Sequence, residues 1–190
     1  MVAYSGLVRS LGHTDYNNRV HECQQAARML LGWAGLPIPA EIRLRDVPEP
    51  VYEQYKNRLP APLDRRARHF FTEVQRVRDG VQAWTTGDLE EMGRLINASG
   101  ASSVYDYESG CPHLITLYEI LRDCPGVYGA RFSGAGFRGS CIGLVDPAAR
   151  SDIQAAIDAD YPCKHPDVVD AYSVHFCGTG GPACLLNGHK

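Results

Sequence analysis

Residues 126–139, G-V-Y-G-A-R-F-S-G-A-G-F-R-G, are the part of the sequence whose residue types and spacing are best suited to chemistry. Four glycines fall within eleven residues: Gly129, Gly134, Gly136 and Gly139. Such a density costs backbone entropy, and proteins use it where the chain needs positive φ angles or where a ligand approaches the backbone closely. Arg131, Ser133 and Arg138 add side-chain donors next to freely approachable backbone N–H groups.

Two well-known glycine motifs can be compared with this segment. A Walker A loop requires lysine, and residues 126–139 contain none. The letters from Gly134 through Ala135 and Gly136 to Gly139 fit a dinucleotide-binding fingerprint, but the sequence that follows, 141–145, predicts a strand where that motif requires a helix. Two interpretations stay open: a tight hairpin whose glycines supply positive φ angles, or a loop that a ligand approaches.

The overall charge argues against nucleic acid as a partner. Lysine and arginine total 19 against 22 acidic residues, and the densest basic group is the Arg65-Arg66 pair with Arg68 nearby. No apolar stretch approaches the roughly 20 residues that span a bilayer, and no signal peptide is recognised at the N-terminus. We therefore expect no nucleic-acid or membrane partner and a cytoplasmic location.

The seven cysteines are scattered without C-x-x-C spacing, which favours buried free thiols. His175 lies near Cys177 and Cys184, but these residues lack a second ligand pair of the kind that zinc sites use. The sequence therefore predicts no metal site.

The predicted elements that position this chemistry form an α+β domain over residues 1–190. Strands are predicted at 2–7, 127–132, 141–145 and 172–177. Apolar periodicity predicts helices after the caps Asn17 and Asn18, after Pro48, over 63–86, from Asp88 through Ile96, after Pro112 and after Pro147, while the polar segment 99–110 predicts a loop. This order favours a four-stranded, mainly antiparallel sheet with helices on one face.

Four segments in this order resemble one family. They are D-Y-N-N-R-V-H-E-C (15–23), L-D-R-R-A-R-H-F-F-T-E-V-Q-R-V (63–77), N-A-S-G-A-S-S-V-Y-D-Y-E-S-G (97–110) and P-G-V-Y-G-A-R-F-S-G-A-G-F-R-G (125–139). Together they resemble the C-terminal half of galactokinase-type members of the GHMP small-molecule kinases. The S-G-A-S-S run is most similar to the galacturonokinases of plants and algae.

The resemblance implies a fold, a chemistry and a set of site residues. The fold is a ferredoxin-like GHMP C-terminal domain, and the reaction transfers the γ-phosphoryl group of ATP, assisted by Mg²⁺, to the anomeric hydroxyl of a galactose-type sugar. Tyr16 matches the tyrosine that hydrogen-bonds the sugar. The glycine loop near the phosphates and sugar corresponds to Gly129, Arg131, Ser133, Gly134, Ala135, Gly136 and Gly139.

Some assignments keep a structural alternative. Tyr16 also fits a half-buried residue at a helix start, and Arg19 is better explained as an anchor of the structure. Arg138 stands where ordinary galactokinases have glycine; it could pair with the C6 carboxylate of a uronic acid, or it could face solvent at the hairpin tip.

The family's phosphate loop, catalytic aspartate and most ATP and Mg²⁺ ligands belong to an N-terminal domain that precedes the first strand of this chain. The resemblance therefore implies no catalytic residue within this sequence and no activity by it alone. Two alternatives are a non-catalytic sugar- or nucleotide-binding sensor module, and an interaction domain that associates through the exposed domain interface.

Overall fold

The computed structural model describes residues 1–7, 16–178 and 180, in which four strands form one antiparallel sheet. The strands are β1 (Val2–Tyr4), β2 (Val127–Phe132), β3 (Ser140–Val145) and β4 (Ser173–His175). Their order is β2-β3-β1-β4, and each of the three neighbouring pairs is antiparallel. This is the ferredoxin-like arrangement that the resemblance implied, with the first strand inserted beside the third.

Six α-helices occur in the described part of the chain. They are α1 (Tyr16–Trp33), α2 (Glu49–Tyr55), α3 (Leu63–Thr86), α4 (Leu89–Tyr105), α5 (Pro112–Asp123) and α6 (Arg150–Lys164). Among these described helices, none has both the length and the apolar character needed to cross a membrane.

The main core lies between the sheet and helices α5 and α6. Alternate residues on the strands face this core, as shown by the buried Ala130 and Phe132 on β2. Cys141 on β3 pairs with Phe132 on one side and with Ala3 on the other, so that one buried row crosses three strands. The helices contribute large apolar side chains to the same core: Leu114, Leu117, Leu121, Ile153, Ile157 and Tyr161.

A second core lies among α1, α2 and α3. Its buried members include Ala27 and Leu30 on α1 and Ala67 on α3, with Ile42 from the connecting segment. The rings of Tyr52 and Phe71 stack at 3.9 Å between centroids, which ties α2 to α3. Because α3 also packs on α4, and α4 on β2, this second core is joined to the sheet.

Several predicted boundaries are confirmed. The long helix ends where Gly87 takes a left-handed φ of 73°, and the side chain of Asp88 accepts a hydrogen bond of 3.0 Å from the backbone N–H of Glu91 to cap α4. Two expectations at the N-terminal end are wrong: β1 ends at Tyr4, and Asn17 and Asn18 lie inside α1.

The predicted loop over 99–110 is wrong for its first half, because α4 continues to Tyr105. The serines of this stretch remain helical because the folded protein supplies partners for their hydroxyls. Ser99 Oγ donates to Glu73 Oε2 at 2.7 Å, and Ser103 Oγ donates to the Ser99 carbonyl at 2.9 Å. Gly100 is needed because a Cβ there would lie 2.5 Å from the Tyr118 ring. Tertiary contacts thus override a weak local preference.

Candidate functional site

The glycine-rich segment forms the hairpin loop, residues 133–139, between β2 and β3. The backbone N–H of Ser133 donates to the Ser140 carbonyl at 2.8 Å and closes the loop. Gly134, Gly136 and Gly139 all have positive φ angles, of 75°, 78° and 97°. The expected conformational role of these glycines is therefore confirmed, whereas contact with a ligand stays a prediction.

The glycines of the hairpin loop differ in how open they are. A Cβ on Gly134 or Gly139 would meet nothing within 4 Å, so the backbone at these positions can be approached from outside. A Cβ on Gly136 would lie 2.6 Å from Phe132 Cδ2, and Gly136 is buried. Ser133 and Ala135 are exposed. The loop thus folds back over Phe132 at Gly136, and its backbone stays accessible on either side, at Gly134 and at Gly139.

The other residues assigned to the glycine loop point elsewhere. Gly129 lies within β2, where a Cβ would come 2.1 Å from the Gly93 carbonyl oxygen on α4. Arg131 is directed toward α3, and its Nη1 lies 3.8 Å from Glu73 Oε2. Arg138 is half-buried, and it makes no hydrogen bond or ion pair with any of the described residues. Packing of β2 on α4 thus accounts for Gly129 without a ligand.

Tyr16, the first residue of α1, lines a cavity of about 580 Å³ between α1, α3 and the segment before α2. Tyr16 is 47% exposed. Arg43 and Arg45 contribute positive charge to the cavity, and His69 and Tyr107 contribute aromatic rings whose centroids are 4.8 Å apart. The lining also includes Val20, Leu44 and Phe70, so the cavity combines a mainly apolar surface with a few polar residues, as small-molecule sites commonly do.

Three titratable groups at the cavity, His69, Tyr107 and Cys23, favour their neutral forms. Burial lowers the pKa of His69, whose Nδ1 lies 2.9 Å from Ser102 Oγ. Burial raises the pKa of Tyr107 to about 12 and that of the Cys23 thiol to about 11. At neutral pH Cys23 is therefore a protonated thiol with little nucleophilic character.

A short segment after α4 connects the Tyr16 cavity with the hairpin loop. Tyr107 lines the cavity, while Ser109 Oγ lies 3.2 Å from the position of a Cβ on Gly136. The Cα atoms of Tyr107 and Ser109 can be at most about 7 Å apart. The Tyr16 cavity and the hairpin loop therefore adjoin opposite ends of the segment 107–109, the cavity at Tyr107 and the loop at Ser109.

Buried ion pairs fix this connecting segment. Arg66 is 1% exposed, and its guanidinium donates to Glu22 Oε2 at 2.6 Å, to the Asp106 carbonyl at 2.5 Å and to Glu108 Oε2 at 2.6 Å. Arg19 donates to both carboxylate oxygens of Glu22 at 2.9 and 3.0 Å. We call Arg19, Glu22, Arg65, Arg66 and Glu108 the Arg66 cluster; Arg65 joins it through Glu108. Arg19 thus makes the anchoring contacts that its structural interpretation predicted.

The sequence did not single out the cavity residues Arg43, Arg45, His69 and Tyr107. His69 and Tyr107 lie in segments that carry the resemblance to the family. The sequence did not indicate that their side chains line a common cavity with Tyr16. Their contribution depends on how α3 and the end of α4 meet, which no local pattern encodes.

The described residues do not gather a magnesium site at the hairpin loop. The only grouping of three or more histidine, cysteine or acidic side chains within ligand reach in the described part of the chain is His113, His165 and Asp167, on α5 and after α6. The backbone at Gly134 and Gly139 can be approached from outside the loop, which suits phosphate oxygens. Mg²⁺ is usually held through carboxylates and the phosphates of the substrate.

Comparison with known proteins shows which family this chain is similar to. Residues 77–163 match the family described as "GHMP kinases C terminal". The chain is 43% identical to a galacturonokinase of Arabidopsis thaliana over 98% of its own length and 45% of that relative's length. It is 36% identical to a galactokinase of Roseiflexus sp. (strain RS-1) over 89% of the chain and 45% of the relative.

Two solved structures of kinases share the fold of this chain. The crystal structure of Lactococcus lactis galactokinase complexed with galactose matches 90% of this chain and 42% of the galactokinase, with a TM-score of 0.75 and 30% identity. The crystal structure of L. major mevalonate kinase in complex with R-mevalonate matches 86% of this chain and 39% of that kinase, and it shares the fold at a TM-score of 0.52 and 20% identity. The chain spans less than half the length of the relatives it matches.

Proposed function

We propose that this chain, which is a GHMP kinase C-terminal domain of the galactokinase type, supplies one wall of a site in which ATP phosphorylates the anomeric hydroxyl of a galactose-type sugar. The observation that carries the proposal is the connection of Tyr16 to the hairpin loop through Tyr107 and Ser109. It is supported by the shared fold with a galactokinase that was solved with galactose.

Each part of the wall has a role in this proposal. The Tyr16 hydroxyl donates to or accepts from a sugar hydroxyl, and the open N–H groups at Gly134 and Gly139 meet phosphate oxygens. The Arg66 cluster keeps the segment between them in place, so that sugar and phosphate are held at a constant separation. Such positioning is the main contribution a protein makes to phosphoryl transfer. ATP with Mg²⁺ supplies the phosphoryl group and neutralises its charge.

The opposite wall is proposed to come from a second half of the kind the relatives possess beyond the matched region. One exposed face of this chain is suited to association. Val77, Val81 and Trp84 are 54–66% exposed on α3 and line a cavity of about 400 Å³ against α4. An apolar face of this kind is typical of a contact surface, and we assign the association with that second half to it.

A chimeric kinase tests the proposed function. The region of the Arabidopsis thaliana galacturonokinase that matches this chain would be replaced by residues 1–190. We expect ATP-dependent phosphorylation of the anomeric hydroxyl by the chimera and none by the 190-residue chain alone, measured by ADP release and by NMR of the sugar product. In the chimera, Tyr16→Phe should raise KM for the sugar by about two- to tenfold, the equivalent of one lost hydrogen bond.

The alternative function, a sugar- or nucleotide-binding module, predicts a different pattern. In that case the isolated chain would bind galacturonate, galactose or ATP in calorimetry and show a raised Tm, while a folded chimera would be inactive. A folded chimera that lacks activity would therefore contradict the kinase proposal. Light scattering on the isolated chain and on the chimera tests the role of the α3 face. Only the isolated chain should self-associate, because its α3 face is uncovered. The double variant Val77→Gln, Val81→Gln should reduce this self-association.

Arg138 is proposed to select a uronic acid. Arg138 is half-buried and precedes Gly139, where the backbone of the hairpin loop is accessible. Its guanidinium forms no hydrogen bond or ion pair with any described residue. A guanidinium can hold a carboxylate with two parallel hydrogen bonds, which a neutral hexose cannot offer. This residue would therefore distinguish galacturonate from galactose.

In the active chimera, Arg138→Gly should raise KM for galacturonate by about tenfold or more and leave KM for galactose within about twofold, as expected for loss of one charge-assisted pair. Arg138→Lys keeps the positive charge but loses the two parallel N–H donors of the guanidinium, so its KM for galacturonate should lie between those of the unmodified chimera and Arg138→Gly. Equal changes for both sugars would assign Arg138 to loop structure.

A further inference from the structure

Two histidines and an aspartate meet where the start of α5 lies beside the end of α6. His113 is the second residue of α5, His165 directly follows α6, and Asp167 lies in the short 3₁₀ turn Pro166–Val168. The imidazole rings stack with centroids 4.0 Å apart and an interplanar angle of 29°. One ligand atom from each of the three side chains lies within 4.8 Å of the others.

The contact between His113 and Asp167 has the spacing of two ligands on one metal ion. His113 Nε2 lies 3.2 Å from both Oδ1 and Oδ2 of Asp167. This is the long end of the range for N–H···O hydrogen bonds, and the nitrogen is shared equally between two oxygens. Two ligands at about 2.1 Å from a tetrahedral zinc ion are about 3.4 Å apart. The observed separation therefore suits coordination as well as it suits a hydrogen bond.

The surrounding structure holds the histidines but leaves the carboxylate adjustable. His165 Nε2 lies 2.9 Å from Thr116 Oγ1 on α5, and the ring contacts buried Tyr161 on α6. The side chain of His113 is 17% exposed, whereas that of Asp167 is 56% exposed. No pair of ligand atoms must close by more than about 1.4 Å to reach tetrahedral spacing. The exposed aspartate can follow such a movement by rotating its side chain.

We propose that His113, His165 and Asp167 bind a divalent transition metal ion, with zinc as the best-suited ion, and that solvent completes the coordination. Two imidazoles and a carboxylate match the ligands that zinc takes in proteins. The set is unsuited to Mg²⁺ or Ca²⁺, which prefer oxygen ligands throughout. The ion would join the start of α5 to the end of α6 and stabilise the folded chain, because the unfolded chain lacks the assembled site.

The experiment titrates Zn²⁺ into the metal-free 190-residue protein. We expect one ion per chain in calorimetry and a rise in Tm that grows with Zn²⁺ concentration. His113→Gln and His165→Gln should each weaken Zn²⁺ binding by about tenfold or more, comparable to the loss seen when support of a zinc ligand is removed. The control is His21→Gln, on an exposed position of α1 where the ring contacts only Gln25 among described residues; it should leave binding unchanged.

Cobalt(II) provides the discriminating measurement, because exposed thiols such as Cys163 and Cys177 also bind metals. A site of two nitrogens and an oxygen should show tetrahedral visible bands without thiolate-to-cobalt charge transfer. A charge-transfer band, or Zn²⁺ affinity that persists in the double His113→Gln, His165→Gln variant, would overturn the proposal. Imidazole ¹⁵N shifts of the unmodified protein on adding Zn²⁺ give the same answer if a variant fails to fold: no shift at His113 and His165 would refute the site.

Discussion

Replacing Arg66 by methionine is expected to lower the free energy of unfolding by about 2–4 kcal/mol, because a buried guanidinium loses charge-assisted hydrogen bonds to acceptors that are partly exposed. Arg66 is 1% exposed and makes three charge-assisted hydrogen bonds to Glu22, Glu108 and the Asp106 carbonyl. Methionine retains much of the packing volume but removes the Arg66 hydrogen bonds, so that Glu22 keeps only Arg19 and Glu108 only Arg65 and Arg19 as cationic partners among the described residues. The lost hydrogen bonds are those that hold the connecting segment of Tyr107 and Ser109, so this segment should be destabilised most.

The matched control for this prediction is Arg65→Met on the same helix. Arg65 is 35% exposed and pairs only with Glu108 among the residues that the structure describes, so its replacement should cost about 1 kcal/mol or less. Chemical denaturation followed by circular dichroism measures both variants. A loss below about 1 kcal/mol in Arg66→Met would show that the buried pairs only offset their own desolvation.

Arg66→Met should also change how the stability of the protein depends on pH in acid. Burial by itself would raise the pKa of Glu22, but hydrogen bonds from Arg66 and Arg19 outweigh it and the net pKa is lowered from 4.5. The hydrogen bond from Arg66, which outweighs slight burial, likewise lowers the pKa of Glu108. A carboxylate with a lowered folded-state pKa stabilises the protein above its unfolded pKa, and that contribution is lost as the pH falls through the folded pKa.

Wild-type protein should therefore lose stability as the pH falls below about 4.5. Arg66→Met should show a shallower dependence over that window, because the carboxylates have lost part of the interaction that lowered their pKa. Denaturation midpoints measured at several pH values between neutrality and acid check this. Parallel curves for the two proteins would contradict the assignment of the lowered pKa values to Arg66.

Replacing Gly129 by alanine is expected to destabilise the chain by about 3 kcal/mol or more, the upper part of the range for overpacking. The new Cβ would lie 2.1 Å from the Gly93 carbonyl oxygen and 2.8 Å from its carbon. The obstruction is reciprocal, since a Cβ on Gly93 would lie 2.3 Å from the Tyr128 carbonyl oxygen. Both obstacles are backbone atoms, so relief requires moving α4 away from β2 and not merely rotating a side chain.

Gly32→Ala is the control for this second prediction. Gly32 lies near the end of α1, is exposed, and a Cβ there would meet nothing within 4 Å. Alanine should therefore stabilise the helix by about 0.5–1 kcal/mol. The unfolding free energies of the two variants, or the soluble yield if Gly129→Ala does not fold, provide the comparison. Wild-type stability in Gly129→Ala would mean that α4 and β2 are less closely packed than described.

The elements that the sequence predicted well are those with strong local signals. The apolar steps of four and three residues over α3, the glycine stop at Gly87 and the Asp88 cap act within a few residues of each other, so their structure follows from their own side chains. The hairpin loop is similar, since its glycines alone permit the positive φ angles that it adopts.

The errors occur where distant partners decide. Ser99 and Ser102 favour caps and turns in isolation, yet they lie in a helix that packs on α3, where Ser99 Oγ donates to Glu73 and Ser102 Oγ lies 2.9 Å from His69 Nδ1. Gly129 carries no local mark to separate it from the loop glycines, and only its approach to Gly93 explains why no side chain is tolerated.

The sequence by itself determined the order of strands and helices, the glycine hairpin and the family, because periodicity, caps and motif order are properties of neighbouring residues. Only the tertiary structure decided which charged residues are buried and which side chains surround Tyr16. The partners of Arg66 lie about 40 residues away along the chain on either side, and His113 meets Asp167 across a separation of 54 residues. Such contacts depend on how whole elements pack, and no short pattern records them.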